Sequence, residues 1–326
     1  MPRTWESFNL LSLALLPVTF CFYVISSARR QLFKLGILRT TKIDVPVIVV
    51  GNISVGGTGK TPTVIGIALE LKKRGLNPGI ISRGYRGDGI TQQVTEKSTA
   101  SQVGDEAILI QNHTFCPMWV GPNRVTSAQI LCENYPGVNV IISDDGLQHY
   151  ALKRDMEIIV IDGQRQFGNG LLLPSGPLRE TKTRISECDA AVITGTQSMN
   201  LPIPTTNMTL VGDTFYQLSD PTLTCRARDF TTTQIAAIAG IGNPDRFFTH
   251  LASLGISAET KPFPDHHEFT QSDITSIKYD VILMTEKDAV KCKKMGGKNC
   301  WFLPVRAHFS GHLIRDIVET IKIYRG

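Results

Sequence analysis

The stretch Val45–Thr61, VPVIVVGNISVGGTGKT, joins a β-branched apolar run to a glycine-rich loop. Val45–Val50 carries no charge, the composition of a strand covered on both faces in a parallel sheet. Past the loop, Val64, Ile67, Ala68 and Leu71 recur at helical spacing over Thr61–Arg74, and Gly75 suits a C-cap. Glycines at 56, 57 and 59 let the backbone turn its N–H groups onto phosphate oxygens, and the helix start adds partial positive charge. Ser54, Val55, Gly56, Gly57, Thr58, Gly59, Lys60 and Thr61 are therefore the expected nucleotide loop. Lys60 would bridge the β- and γ-phosphates of ATP, and the Thr61 hydroxyl would serve Mg²⁺. The bland alternative is a tight glycine turn with a solvent-facing lysine. One departure stands out: Ser54 occupies the place of the first glycine in G-x-x-x-x-G-K-[ST].

Working outward, Gly79–Ser82, Val138–Ser143 (VNVIIS) and Glu157–Asp162 (EIIVID) read as further buried strands alternating with helices. That alternation predicts an α/β fold, a P-loop NTPase-like doubly wound, mostly parallel sheet whose ligands bind beyond the strands' carboxyl ends. Asp144 and Asp145 follow VNVIIS directly, the position of a carboxylate that holds Mg²⁺ directly or through water. Adjacent residues on a strand point to opposite faces, so both acids serve one ion only if the strand has ended. The alternative for an Asp-Asp-Gly run is an ordinary turn.

The pattern thins after Ala190, and a second α/β series begins at Gln234–Ile241, with a loop at Gly242–Pro244 and a later strand at Tyr279–Met284. The expected organisation is an apolar helix with a basic segment over 1–42 and a nucleotide-binding domain over 43–210. A linker over 211–230 and a smaller α/β domain over 231–326 complete it.

Phe8–Ile25 is uncharged, and an 18-residue helix is about 27 Å long, just under a bilayer core. Pro17 at its middle would kink it. Arg29, Arg30, Lys34, Arg39 and Lys42 follow before the first downstream acid, Asp44. The segment reads as a helix at a membrane interface, anchored by Trp5 and Tyr23, ahead of a span or a buried helix. The basic run puts the rest of the chain on the cytoplasmic side.

Over 326 residues, 42% hydrophobic and 19% charged composition exclude bulk disorder. Seven cysteines without metal-ligand spacing read as free buried thiols. The basic residues cluster beside the apolar segment without interleaved aromatics, so no nucleic-acid partner is expected, and nothing points to an obligate protein partner. A K-G-G-x-G-K-T loop belongs to membrane-recruited ATPase switches that act through protein partners. Their signature lysine would fall at Val55, which cannot supply the charge.

Seven segments carry a more specific signal. They are VGNISVGGTGKTP, SRGYRG (Ser82–Gly87), VGDEA (Val103–Ala107), SDDGLQH (Ser143–His149), SGPLRE (Ser175–Glu180), FPDHHEF (Phe263–Phe269) and TEKDAVK (Thr285–Lys291), in that order. Together they resemble the tetraacyldisaccharide 4′-kinases, the lipid A 4′-kinases of Gram-negative bacteria. The resemblance implies ATP and Mg²⁺, with Asp144, Asp145 and Glu180 near the metal and phosphates. It implies a base unit of Asp105 and His266 acting on the sugar hydroxyl of an acylated glucosamine disaccharide 1-phosphate. It also implies docking on a membrane lipid surface, at the cytoplasmic face of the inner membrane, as a peripheral or monotopic protein. Arg179, within SGPLRE, is a candidate for stabilising charge on the transferring phosphoryl group. His267 adjoins His266, and sequence alone does not separate their roles.

Overall fold

The computed structural model describes residues 5–230, 234–293 and 295–325. The chain forms two compact units, one of residues 1–209 and 307–326 and the other of Leu210–Arg306. In the first, eight strands follow in chain order: β1 (Val47–Gly51), β2 (Pro78–Ser82), β3 (Gln92–Gln93), β4 (Met118–Val120), β5 (Val140–Asp144), β6 (Met156–Asp162), β7 (Ala190–Thr194) and β8 (Thr205–Val211). The second unit contributes β9 (Thr214–Gln217), β10 (Thr224–Arg226), β11 (Ile235–Ala239), β12 (Glu259–Pro262), β13 (Val281–Thr285) and β14 (Cys300–Leu303), and β15 (Arg306–Ser310) leads back.

The large sheet has the order β15-β8-β7-β6-β1-β5-β2-β4-β3. Every pair from β8 across to β4 is parallel, and β3 is antiparallel to β4. β1 lies between β5 and β6, all five of its residues buried, as its unbroken apolar composition requires. Because the strands are parallel, the ends of β1, β2, β5, β6 and β7 open on one edge, where the loop after Gly51, Ser82, Asp144 and Asp145 lie. The second sheet, β10-β9-β14-β13-β11-β12, is parallel from β14 to β12 and antiparallel at β9 and β10.

Two boundaries differ from the sequence reading. Residues 211–230 are no linker: they hold β9 and β10, which pair in the second sheet. The tail does not stay with the smaller domain. β15 joins the large sheet beside β8, and the helix Leu313–Arg325 packs there through Tyr324, whose hydroxyl donates to Ile43 O at 2.8 Å. β15 alternates exposed and half-buried residues, and such an edge pattern carries no local mark of the sheet it joins. The expected limit at residue 231 falls outside the described residues.

The N-terminal apolar stretch is two helices, Leu10–Ala14 and Leu16–Lys34, and Pro17 lies in the first turn of the second rather than kinking a single helix. No helix among the described residues is long and apolar enough to cross a membrane. Their polarity is inverted: Leu10, Phe20 and Ile25 are 85%, 65% and 69% exposed, while Ser12 and Thr19 are buried. Thr19 Oγ1 donates to Ser175 Oγ at 2.7 Å, and the Trp5 indole donates to Pro174 O at 3.0 Å. Trp5 thus has its polar end on the protein instead of at headgroups. Arg30 and Lys34 likewise pair with Glu187.

Candidate active site

The nucleotide loop is shaped by its two ends. On the entry side, Ser54 bridges antiparallel to Leu178, Val55 N–H donates to Pro177 O at 2.8 Å, and Arg179 N–H donates to Ile53 O at 2.7 Å. Ser54 sits in extended backbone, where a β-carbon costs nothing, so the missing glycine has a local explanation. On the exit side the glycines are needed: Gly56 has φ 107° and Gly59 φ 96°, and the helix Lys60–Lys73 starts directly after. Between them the buried Asn52 amide donates to Thr58 Oγ1 at 3.1 Å, and Thr194 Oγ1, from β7, donates to Thr58 O at 3.0 Å.

β5 ends at Asp144, and Asp145 turns to φ 48°. The strand's alternation therefore stops between the two acids, and both face the loop's charges. Asp145 stands 3.6 Å from Lys60 Nζ and 3.1 Å from Arg179 Nη1. Burial alone would raise its carboxyl, but Lys60 and Arg179 override that and hold it at about 2. Asp144 is buried and accepts from Ser82 Oγ at 3.0 Å. Burial first, then the charges of Glu106 and Asp145, push it up to about 7. Its Oδ1 has no hydrogen-bond partner among the described residues. A buried, unpaired carboxylate oxygen next to a second carboxylate suits Mg²⁺, which takes few protein oxygens and leaves the rest to water and phosphate.

Glu180, expected near the metal and phosphates, has its oxygens engaged elsewhere. Oε1 accepts from Gln148 Nε2 at 2.8 Å, Oε2 from Tyr150 Oη at 2.6 Å, and Arg184 Nε lies 3.5 Å away. Gln148 Nε2 also donates to Asn52 O at 3.0 Å, so Glu180 braces the turn after β5 against the base of the loop. His149, at the end of that turn, is depressed to about 4, by burial first and then by Arg124, Arg154, Arg29 and Arg83.

Asp105 is 6% exposed and is the first residue of the helix Asp105–Thr114. Gly104 takes the capping position with φ 87°, where a β-carbon would come within 2.5 Å of Tyr85 O. Asp105 Oδ1 accepts from Glu106 N–H at 2.9 Å. In the second unit the two histidines separate. His267 Nε2 lies 3.1 Å from Asp273 Oδ2, and its ring packs between Phe263 and Phe269, with centroids 4.8 and 4.9 Å away. That is a structural engagement. His266 adopts φ 59°, its N–H donates to Gly240 O at 3.0 Å, and its Nε2 is 3.4 Å from Lys287 Nζ.

The sequence reading missed Arg165, whose Nη1 lies 3.8 Å from the place a β-carbon on Gly56 would occupy. Arg165 follows the carboxyl end of β6, the neighbour of β1, so the rule that ligands gather at such ends was the available signal. Glu106 and Arg124, both electrostatic neighbours of Asp144 or Asp145, were likewise not assigned roles.

A sequence profile of the family described as tetraacyldisaccharide-1-P 4′-kinase matches residues 11–322. A tetraacyldisaccharide 4′-kinase from Methylobacillus flagellatus is 45% identical, with 98% of this chain and 95% of the relative covered. One from Shewanella sediminis is 44% identical over 96% of this chain and 92% of its own length. Among solved structures, LpxK from Aquifex aeolicus, crystallised in complex with ATP, superposes with a TM-score of 0.81 at 29% identity, covering 96% of this chain and all of that one.

Proposed function

This chain belongs to the tetraacyldisaccharide-1-P 4′-kinase family, and from that premise we propose how its residues divide the work of the reaction. The reaction transfers the γ-phosphate of ATP to the 4′-hydroxyl of tetraacyldisaccharide 1-phosphate in lipid A biosynthesis. The observation that carries the site reading is the meeting of Lys60 with Asp145, 3.6 Å apart at the carboxyl ends of β1 and β5.

Lys60 and the amides of Ser54–Thr61 bind the β- and γ-phosphates, and Arg179 adds positive charge against the transferring group. When bound, Mg²⁺ would neutralise phosphate charge, held by Asp144, Asp145 and the Thr61 hydroxyl. A sugar hydroxyl is too weakly acidic to ionise at neutral pH, so a positioned carboxylate must take its proton as the new P–O bond forms. Asp105 is that base, and the family resemblance assigns His266 as its partner. Glu180 acts by fixing the turn that carries the aspartates.

The inverted polarity of the N-terminal helices supports seating on the membrane interface, as a peripheral protein on the cytoplasmic face where ATP is available. Replacing Phe20 and Ile25 by Ser should release the protein from anionic vesicles in a sedimentation assay. Unchanged sedimentation would remove the helices from the membrane contact.

The deciding assay incubates the protein with γ-labelled ATP, Mg²⁺ and tetraacylated disaccharide 1-phosphate, with Lys60→Ala alongside. Label reaching the lipid, and falling by about 10²–10³ in the variant, is the expected result. ATP hydrolysis without lipid labelling would favour an ATPase switch instead.

A further inference from the structure

The segment Thr285–Lys291, TEKDAVK, has no place in the chemistry described so far, yet it is tied closely to His266. The helix Glu286–Cys292 starts behind the cap of Thr285, and Asp288 within it is fully buried. Asp288 Oδ2 accepts the N–H of Gly240 at 2.9 Å and the hydroxyl of Thr285 at 2.7 Å, and Lys291 Nζ stands 2.8 Å from its other oxygen. The carbonyl of the same Gly240 accepts the N–H of His266 at 3.0 Å. One glycine thus links the helix bearing Lys287 to the backbone of His266. That backbone is left-handed at φ 59°, a conformation a non-glycine residue holds only where its surroundings impose it.

At the side-chain end, Lys287 Nζ is 3.4 Å from His266 Nε2. Asp265 Oδ1 lies 3.8 Å from the same nitrogen, beyond hydrogen-bond distance. An ammonium has three donors and no acceptor, so this contact requires Nε2 to be the accepting, unprotonated nitrogen. The ring proton then sits on Nδ1, which is able to donate to a carboxylate.

We infer that Lys287 is a positioning residue for the kinase reaction, fixing the ring orientation and tautomer of His266. The inference rests on the reading of His266 as partner of the base Asp105. An outer partner of this kind sets which nitrogen carries the proton, as the second hydrogen bond of a functional histidine does elsewhere.

The test compares Lys287→Met and Lys287→Arg in the full-length chain, each alone and in a His266→Ala background, reading kcat and KM for ATP and for the lipid. Lys287→Met should lower kcat about tenfold, as expected for loss of one hydrogen bond to a charged group, and leave both KM values unchanged. Lys287→Arg, which keeps a cationic donor, should recover most of the loss. With His266 already removed, Lys287→Met should cost nothing further. The inference is overturned if Lys287→Met leaves kcat intact, raises KM for ATP instead, or costs the same factor with and without His266. Full turnover in His266→Ala alone would overturn the underlying base reading, a result distinct from all of these.

Discussion

Both units of this chain run a buried strand into a glycine loop and then a helix, and they use the loop in opposite ways. In the first, β1 leads through Gly51–Gly59 to a helix that opens with Lys60, and Lys60 and Arg179 converge on Asp145 at the neighbouring strand end. In the second, β11 leads through 240–243 to the helix Pro244–Ser253, and the chain's own buried carboxylate, Asp288, accepts the Gly240 amide. One loop gathers the cations proposed above to bind a polyphosphate, and the other has its first amide satisfied internally. The shared topology decides where a site can form, while the partner supplied to the loop decides whether a ligand is needed.

That contrast separates effects on chemistry from effects on stability. The largest change is expected at Asp105 in the first unit. Asp105→Ala should lower kcat by about 10²–10⁴ with KM for ATP little altered, measured by lipid phosphorylation. A loss confined to KM would make Asp105 a binding residue. Close behind stands Asp288→Ala, which leaves Lys291 buried beside a missing partner and the Gly240 amide unsatisfied. It should destabilise the protein by about 3–5 kcal/mol in denaturant unfolding, the usual cost of breaking a buried pair. A stable Asp288→Ala protein would mean that the second loop does not depend on its internal carboxylate.

The smallest effect concerns Asp144, whose folded pKa of about 7 lies above its ordinary 3.8. The folded state therefore holds that proton more tightly than the unfolded chain. The stability this confers is complete below about pH 4 and is lost as pH rises through about 7. Asp144→Asn lacks the dependence, so in metal-free buffer its melting temperature should gain on the wild type between pH 5 and pH 8. The gain should be about 2–4 °C for each kcal/mol recovered. An equal difference at both pH values would show that Asp144 is not strained by its charge.

Much of this contrast was legible in the residues themselves. β1 announces itself by a run of β-branched residues, β5 by Val140, Ile141 and Ile142, and the loop between Gly51 and Thr61 by its glycines and lysine. Less visible was the turn at Asp145. A positive φ at a non-glycine residue is imposed by neighbours, here the contacts with Lys60 and Arg179, rather than written in Asp-Asp-Gly. The return of β15 was not visible at all, since its partner β8 lies about a hundred residues earlier and an alternating edge strand fits either sheet. Glu180 shows the limit from another direction. The motif that contains it is readable, but which of several polar neighbours claims a carboxylate is a matter of three-dimensional competition, and Gln148 and Tyr150 win it.

The insertion of residues 210–306 between β8 and β15 has a consequence for biosynthesis. At roughly 5–20 residues per second, the ribosome spends on the order of ten seconds making the inserted unit before β15 and the last helix emerge. For that interval the large sheet waits with β8 as an unprotected edge, although every strand of that sheet except β15 has already been made. Assembly thus follows chain order: the inserted unit is complete before the large sheet is, and that sheet is closed last by β15 and the final helix.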